Sequence, residues 1–262
     1  MKVFLSALEN GAQCKQKDAD GKAKKLTYYF KEKGIKYKWN LMSYFYISQK
    51  QYDVAIHIRD NSEEILIDSG AHSFQKGVKV DWDKYTEQYA EFIKKFDKPN
   101  VIGYFEMDVD NIIGYDKVLQ LRKRLETVSN KIIPVWHKNR GIEEYKKMCQ
   151  DYSGKIIAIT GFKNEDIKDE QYLMFLKYAK KYNCKVHCLG MTRKKVLDKV
   201  PFDYVDSSSW KQGALFGRID GKGKVTKEFS KERREDVFLE SYKVAQKMQQ
   251  YYYNKWKKIC ND

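Results

Sequence analysis

Residues 65–108, ILIDSGAHSFQKGVKVDWDKYTEQYAEFIKKFDKPNVIGYFEMD, hold one full turn of the pattern that organises the chain. The run 65–67 is short and apolar and is followed by Asp68, Ser69 and Gly70, which reads as a buried strand feeding a turn. Trp82, Tyr85, Tyr89, Phe92 and Phe96 then recur every three or four residues behind Asp81, a suitable N-cap, so a helix is predicted. Pro99 precedes a second apolar run, 101–107, that stops at Asp108. Strand, helix and strand in this order form the unit of a parallel sheet.

Working outward, similar runs occur at 3–8, 41–47, 132–136, 156–159, 186–189 and 202–205, eight in all. Helical periodicities separate most of them, for example Val118, Leu121, Leu125 and Val128. Phe238, Tyr242, Ala245, Met248, Tyr252, Trp256 and Ile259 make one apolar stripe on a long last helix at about 230–259. Eight strands alternating with helices in 262 residues predict an α/β fold, a (β/α)8 TIM barrel, in preference to an open doubly wound sheet. Only 51–58 is left for the helix after the second strand, so that unit is expected to be short. No Pro-rich hinge interrupts the chain, and its three prolines lie beside strand starts, so 1–262 is read as a single domain.

No run approaches the roughly 18 to 20 apolar residues of a membrane span, and the first residues are too weakly apolar for a signal peptide. A cytoplasmic protein without membrane partners is expected. Five scattered cysteines are expected to stay reduced. The 51 Lys and Arg against 36 Asp and Glu give +15, which favours a polyanionic partner such as nucleic acid. Only eight of these cations are Arg, and an AT-rich coding sequence produces the same Lys-rich, Tyr-rich composition.

A barrel places its chemistry where strands end. Read in order, those ends are Ser6, Ser43, Asp68-Ser69-Gly70, Asp108 with Asp110, His137, Gly161, His187 with Gly190, and Asp206-Ser207. Carboxylates and imidazoles directly after buried runs cost several kcal/mol if unpaired, so they are either paired with one another or used. Glu106 and Asp110, flanking Asp108, are read as structural. Gly70 is read as permitting close approach of a base or of backbone. The loops after the strands are basic, with Lys76, Lys79, Lys138, Arg140, Lys163, Arg193, Lys194, Lys211, Arg218, Lys222 and Lys224. On a barrel these cations are expected to surround the mouth and hold phosphates.

The segments 65–77, ILIDSGAHSFQKG, and 186–217, VHCLGMTRKKVLDKVPFDYVDSSSWKQGALFG, resemble the tRNA-guanine transglycosylase superfamily. The likeness is closer to its short members associated with phage and bacterial DNA 7-deazaguanine modification, and it spans about residues 3–217. The resemblance implies that Asp206 is the nucleophile, Asp68 the general acid/base and Asp108 the carboxylate that reads the base. It further implies base contacts from Ser69, Gly70, Gly161, His137 and His187. His72, with Phe74 close by, stands where the family stacks an aromatic ring on the base. Phosphate contacts would come from Lys76, Lys138, Arg140, Arg193, Lys194, Lys211 and Arg218.

The superfamily's Cys-x-Cys-x-x-Cys zinc cluster with a later His has no counterpart here, since Cys184, His187 and Cys188 fall on a predicted strand. No metal and no cofactor are therefore expected, and DNA is expected ahead of tRNA. The implied reaction exchanges guanine for a 7-deazaguanine such as preQ0 through a covalent Asp206–sugar ester. Three alternatives use the same residues differently. They are a DNA glycosylase in which water finishes the reaction, a non-catalytic nucleic-acid-binding subunit of a transglycosylase, and a metallohydrolase built on His137, His187 and Asp108.

Overall fold

The eight apolar runs become eight strands that pair only in parallel. The structure is a computed structural model that describes residues 1–10, 13–17, 19–49, 51–74, 79–160, 167–225 and 234–260. The strands are β1 (Lys2–Ser6), β2 (Tyr37–Ser43), β3 (Ser62–Asp68), β4 (Val101–Phe105), β5 in two pieces (Ile132–Ile133 and Val135–Trp136), β6 (Ile156–Thr160), β7 (Lys185–Leu189) and β8 (Tyr204–Ser207). Their order around the sheet follows the chain, β8 pairs with β1, and the ring closes through β5. Its first piece pairs with β4 and its second with β6. The fold is a (β/α)8 TIM barrel.

Strand alternation decides which side chains enter the barrel. Phe4, Leu66 and Tyr204 belong to the inner cluster with Trp39, Leu41, Phe105, Ile133, Val135 and Ala158. Ser6, Asp68 and Asp206 lie two residues further along β1, β3 and β8, so the same alternation lifts them to the mouth above that plug. His187 follows this parity on β7 and sits among the rings of Phe4, Phe105 and Tyr204.

Helices cover the outside. The Trp82–Phe96 helix starts at Asp81, whose carboxylate accepts from the Lys84 N–H at 3.0 Å, and it buries Tyr85, Tyr89, Phe92 and Phe96 as their spacing requires. The Tyr89 hydroxyl lies 3.3 Å from both the Ile67 and Phe105 carbonyls, tying this helix to β3 and β4 just below the acids. The Arg234–Cys260 helix carries the predicted stripe, although Ile259 is exposed. Its buried Gln249 donates to the carbonyls of Val3 and Trp39, and its Tyr242 donates to Asn40. No described helix is long and apolar enough to cross a membrane. All five cysteines are buried and unpaired with one another.

One expectation needs correction. The second strand runs over Tyr37–Ser43, and its expected end, 44–47, turns into the Tyr44–Ser48 helix. Pro134 lies inside β5, where a residue without an N–H divides the ladder into two pairs. A hairpin, Gln13–Lys17 with Ala23–Lys25, and a helix, Leu26–Glu32, fill the segment after β1. The helix after β2 is short as expected, Tyr52–Asp60.

Candidate active site at the strand ends

Asp206 is held at the mouth by three donors. Its Oδ1 accepts the Gly190 N–H at 2.8 Å and faces His187 Nε2 at 3.0 Å, and its Oδ2 accepts the Ser6 hydroxyl at 3.1 Å. His187 is fully buried, and its Nδ1 has no partner among the described residues, so the proton of the ring is best placed on Nε2, donating to Asp206. Oδ1 thus meets two donors. Oδ2 meets one and keeps capacity for another atom.

Asp68 ends β3 with Oδ2 accepting the Gly70 N–H at 3.0 Å. Burial pushes its carboxyl up to about 6, and Asp108 and Asp206 push the same way. His72 and the Gly70 N–H offset only part of this. The three acids therefore share one electrostatic neighbourhood, and Asp68 is the one poised to carry a proton near neutrality.

Asp108 is nearly inaccessible and is surrounded by the chain's own donors. Its Oδ2 faces His72 Nε2 at 3.0 Å, and its Oδ1 contacts His137 Nε2 and Arg140 Nη2. Burial opposes its ionisation, but the hydrogen bonds from His137 and His72 prevail and hold the carboxyl well below the usual range. The hydrogen bond to Asp108 in turn raises His72, against the effect of its own desolvation. His72 Nε2, His137 Nε2 and an Asp108 oxygen lie within 4.8 Å of one another, and two imidazoles with a carboxylate could hold a metal ion. The metal-binding alternative read from the sequence named His187 where His72 stands, and His187 is committed to Asp206 instead.

Glu106 and Asp110 are structural, as read. Glu106 is fully buried, accepts the Val135 N–H at 2.8 Å and pairs with Arg122, while Asp110 accepts from Arg140 Nε and Asn139, each at 3.1 Å.

Several expected contacts change role. Arg140 is no phosphate ligand, because only 2% of its side chain is exposed and its guanidinium is spent on Glu106, Asp108, Asp110 and the Val135 carbonyl. Lys211 also turns inward, donating to the carbonyls of Ala7 and Asn10. Arg193 pairs with Asp169 and donates to the Tyr172 hydroxyl. Lys138 and Lys194 are exposed directly after β5 and β7, and Arg218 is exposed on a short hairpin packed against the last helix. Gly70 is needed for backbone. At φ +74°, a Cβ there would sit 2.4 Å from that of Phe45, so its free space belongs to the chain and its N–H to Asp68. Ser69 is buried, its carbonyl accepting from Tyr85, and Phe74 is half-buried against Phe45, Trp82 and Tyr85. Gly161, Lys76 and Lys163 lie outside the described residues.

One residue at the mouth escapes the sequence reading. Glu9, buried just beyond β1, accepts the Ser43 N–H at 3.0 Å, while its Oε2 has no partner among the described residues. Burial pushes it up to about 7, Asp68 adds to the rise, and the nearby Lys211 opposes it. The signal is present, since Glu9 directly follows the apolar run 3–8, but Ser6 reads as the polar end of that strand and hides it.

No family model and no curated protein sequence match the chain. Among solved structures, it is similar to one from Coccidioides immitis whose provisional assignment is fructose-1,6-biphosphate aldolase. The TM-score is 0.54 at 10% identity, over 98% of this chain and 90% of that one. A likeness at that identity establishes a shared barrel and nothing about chemistry.

Proposed function

We propose that the protein is a nucleic-acid base transglycosylase, with DNA ahead of tRNA as the polymer. Asp206 Oδ2 attacks the C1′ carbon of the target nucleotide, the bond from C1′ to the guanine nitrogen breaks, and a sugar ester forms. Asp68 gives its proton to the departing guanine and recovers one from the incoming 7-deazaguanine, which then displaces Asp206 from C1′. His187, Ser6 and the Gly190 N–H hold the nucleophile in place, and the His72–Asp108–His137 wall borders the base.

The observation that carries this reading is the contrast between two neighbouring carboxyls. One is aimed by three donors, only one of them on Oδ2, and the other is pushed up to about 6 by burial. Double displacement at a glycosidic carbon needs one carboxyl placed to attack and a second able to carry a proton. Exposed Lys138 and Lys194 at the mouth would hold the flanking phosphates while the nucleotide is flipped in.

The test is incubation with radiolabelled guanine and either duplex DNA or tRNA. Label entering the polymer supports exchange and identifies which polymer is used. Free base with alkali-labile strands would convert the reading to a glycosylase, and neither result with either polymer would reject it.

A further inference from the structure

We propose that His72, Asp108 and His137 form a binding site for one divalent transition-metal ion at the barrel mouth. The site borders the pocket of the base-exchange reading but does not depend on it, because neither Asp206 nor Asp68 takes part and the test uses no substrate.

The three side chains come from separate loops, after β3, β4 and β5, and converge on one point. Their donor atoms already lie within 4.8 Å of one another. Ligands about 2.0–2.2 Å from a tetrahedral ion sit roughly 3.4 Å apart, and each imidazole already meets an Asp108 oxygen at hydrogen-bond distance, so an ion would take the place of those two hydrogen bonds after a small adjustment. His72 is the ligand able to make it, because its side chain is 67% exposed while those of Asp108 and His137 are 8% and 13% exposed.

Burial does not explain the position of His72. It rides on the Ala71–Ser73 turn, set by Gly70 with φ +74° and packed against Ser43 and Phe45. The fold therefore spends a constrained turn on bringing an exposed imidazole to a carboxylate that His137 and Arg140 already engage.

The surroundings resemble the outer support of a metal ligand. Arg140 donates to Asp108, and Asp110 and Glu106 fix Arg140 in turn, so the carboxylate is oriented by a buried network. Two neutral imidazoles and one carboxylate suit a borderline ion such as Zn²⁺, Co²⁺ or Fe²⁺ better than Mg²⁺ or Ca²⁺, which prefer oxygen ligands. Three protein ligands leave at least one coordination position for water or a substrate atom, the arrangement of reactive metal centres and not of closed structural ones. Cysteine plays no part in it, since the five thiols are buried elsewhere.

The test is titration of the full chain, freed of metal by a chelator, with Co²⁺ followed by visible absorption and with Zn²⁺ followed by calorimetry. One equivalent should bind each time, with a cobalt spectrum free of thiolate charge transfer. His72→Ala and His137→Ala should each weaken binding by more than the roughly 10- to 100-fold that removal of an outer-shell partner costs. His57→Ala, on the Tyr52–Asp60 helix, should bind as the parent does. Because His72 is exposed, its variant should stay folded without metal, with a melting temperature lowered only by the loss of one donor to Asp108, which separates lost ligation from lost folding. Failure to bind either ion, binding of several loose equivalents, or one-equivalent binding that survives both substitutions would overturn the site. Base exchange with no metal bound would leave this result untouched, and metal binding without base exchange would leave that reading to fail alone.

Discussion

Asp206 and Asp108 are both met by histidine at one barrel mouth, yet they are built in different ways. The donors to Asp206 are a β1 serine, a fully buried β7 histidine and the backbone at Gly190, all on or next to barrel strands. The donors to Asp108 come from loops, and one, His72, is largely exposed. Strand-borne groups are fixed by the ladder and the inner plug, so the Asp206 side can aim an atom. On the Asp108 side Arg140 and His137 are buried, and His72 alone of its three donors is exposed enough to turn toward a ligand. The mouth therefore divides into a rigid half suited to bond making and an adjustable half suited to recognition.

The most severe way to break this contrast is Asp206→Asn, which keeps shape and removes the proposed nucleophile. Base exchange should fall by roughly 10⁴-fold or more, with polymer affinity nearly unchanged. Near-parental turnover would show that the rigid half does not make the bond. Asp68→Asn is expected to cost about 10²- to 10⁴-fold. It should also abolish the decline in rate as pH rises through about 6, because the parent loses there the proton it must give to the leaving base. A decline that persists in the variant would assign that titration to another group.

Ser6→Ala sharpens the comparison more gently. It removes the single donor to Asp206 Oδ2 while His187 and Gly190 still hold Oδ1. A hydrogen bond of about 1 to 1.5 kcal/mol predicts a loss of roughly 5- to 10-fold in kcat, with KM unchanged. A change confined to KM would mean that Ser6 touches substrate instead of orienting the nucleophile.

The rigid half is the more legible in sequence, for a physical reason. Strand alternation is local, so Asp68 and Asp206 at the ends of apolar runs announce both their position and their inward direction. Pairings between loops are not local. Nothing in the spacing of His72, Asp108 and His137 says that two imidazoles meet one carboxylate, and His187 is equally eligible until the barrel sets it against Asp206. Charge presents a similar difficulty, because composition records the sign of Arg140 and Lys211 but not that both point inward. The Leu26–Glu32 helix escapes the reading although Leu26, Tyr29 and Phe30 have helical spacing, because the surrounding Lys-rich segment masks a single buried turn.

Glu9 supplies a prediction about stability. Its folded carboxyl is raised from 4.5 to about 7, mainly by burial, so between those values the folded state holds a proton that the unfolded chain has released. The contribution of Glu9 to stability is full below about 4.5 and declines as pH rises to about 7. Glu9→Gln keeps the hydrogen bond with the Ser43 N–H and removes the titration. Its stability relative to the parent should therefore grow across that window, by a few kcal/mol at most, since each pH unit crossed adds on the order of 1.4 kcal/mol. Urea titrations of both proteins at pH 4.5 and 7.5 measure this, and a constant difference would mean that Glu9 stays charged beside Lys211 throughout.

The smallest effect concerns the surface. If the mouth binds a phosphate backbone, Lys138→Glu with Lys194→Glu should lower affinity and make the plot of log affinity against log salt shallower, by about 0.7 to 0.9 for each phosphate no longer neutralised. Lys94→Glu with Lys95→Glu makes the control, since those residues end the Trp82–Phe96 helix at the opposite face of the barrel, the change in charge is the same, and the Lys94–Glu91 pair that is lost is solvent-exposed and worth little. Arg140 and Lys211 are unsuitable because their charged ends are buried, and Arg193 because its reversal would also break the pair with Asp169. A slope that responds only at the mouth would join the phosphate-binding surface to the strand ends that hold the acids. Equal slopes from both faces would mean that the +15 acts as a diffuse field. The two halves of the mouth would then be left to recognise a free nucleoside or a small base conjugate, a substrate whose contacts all lie within the strand ends.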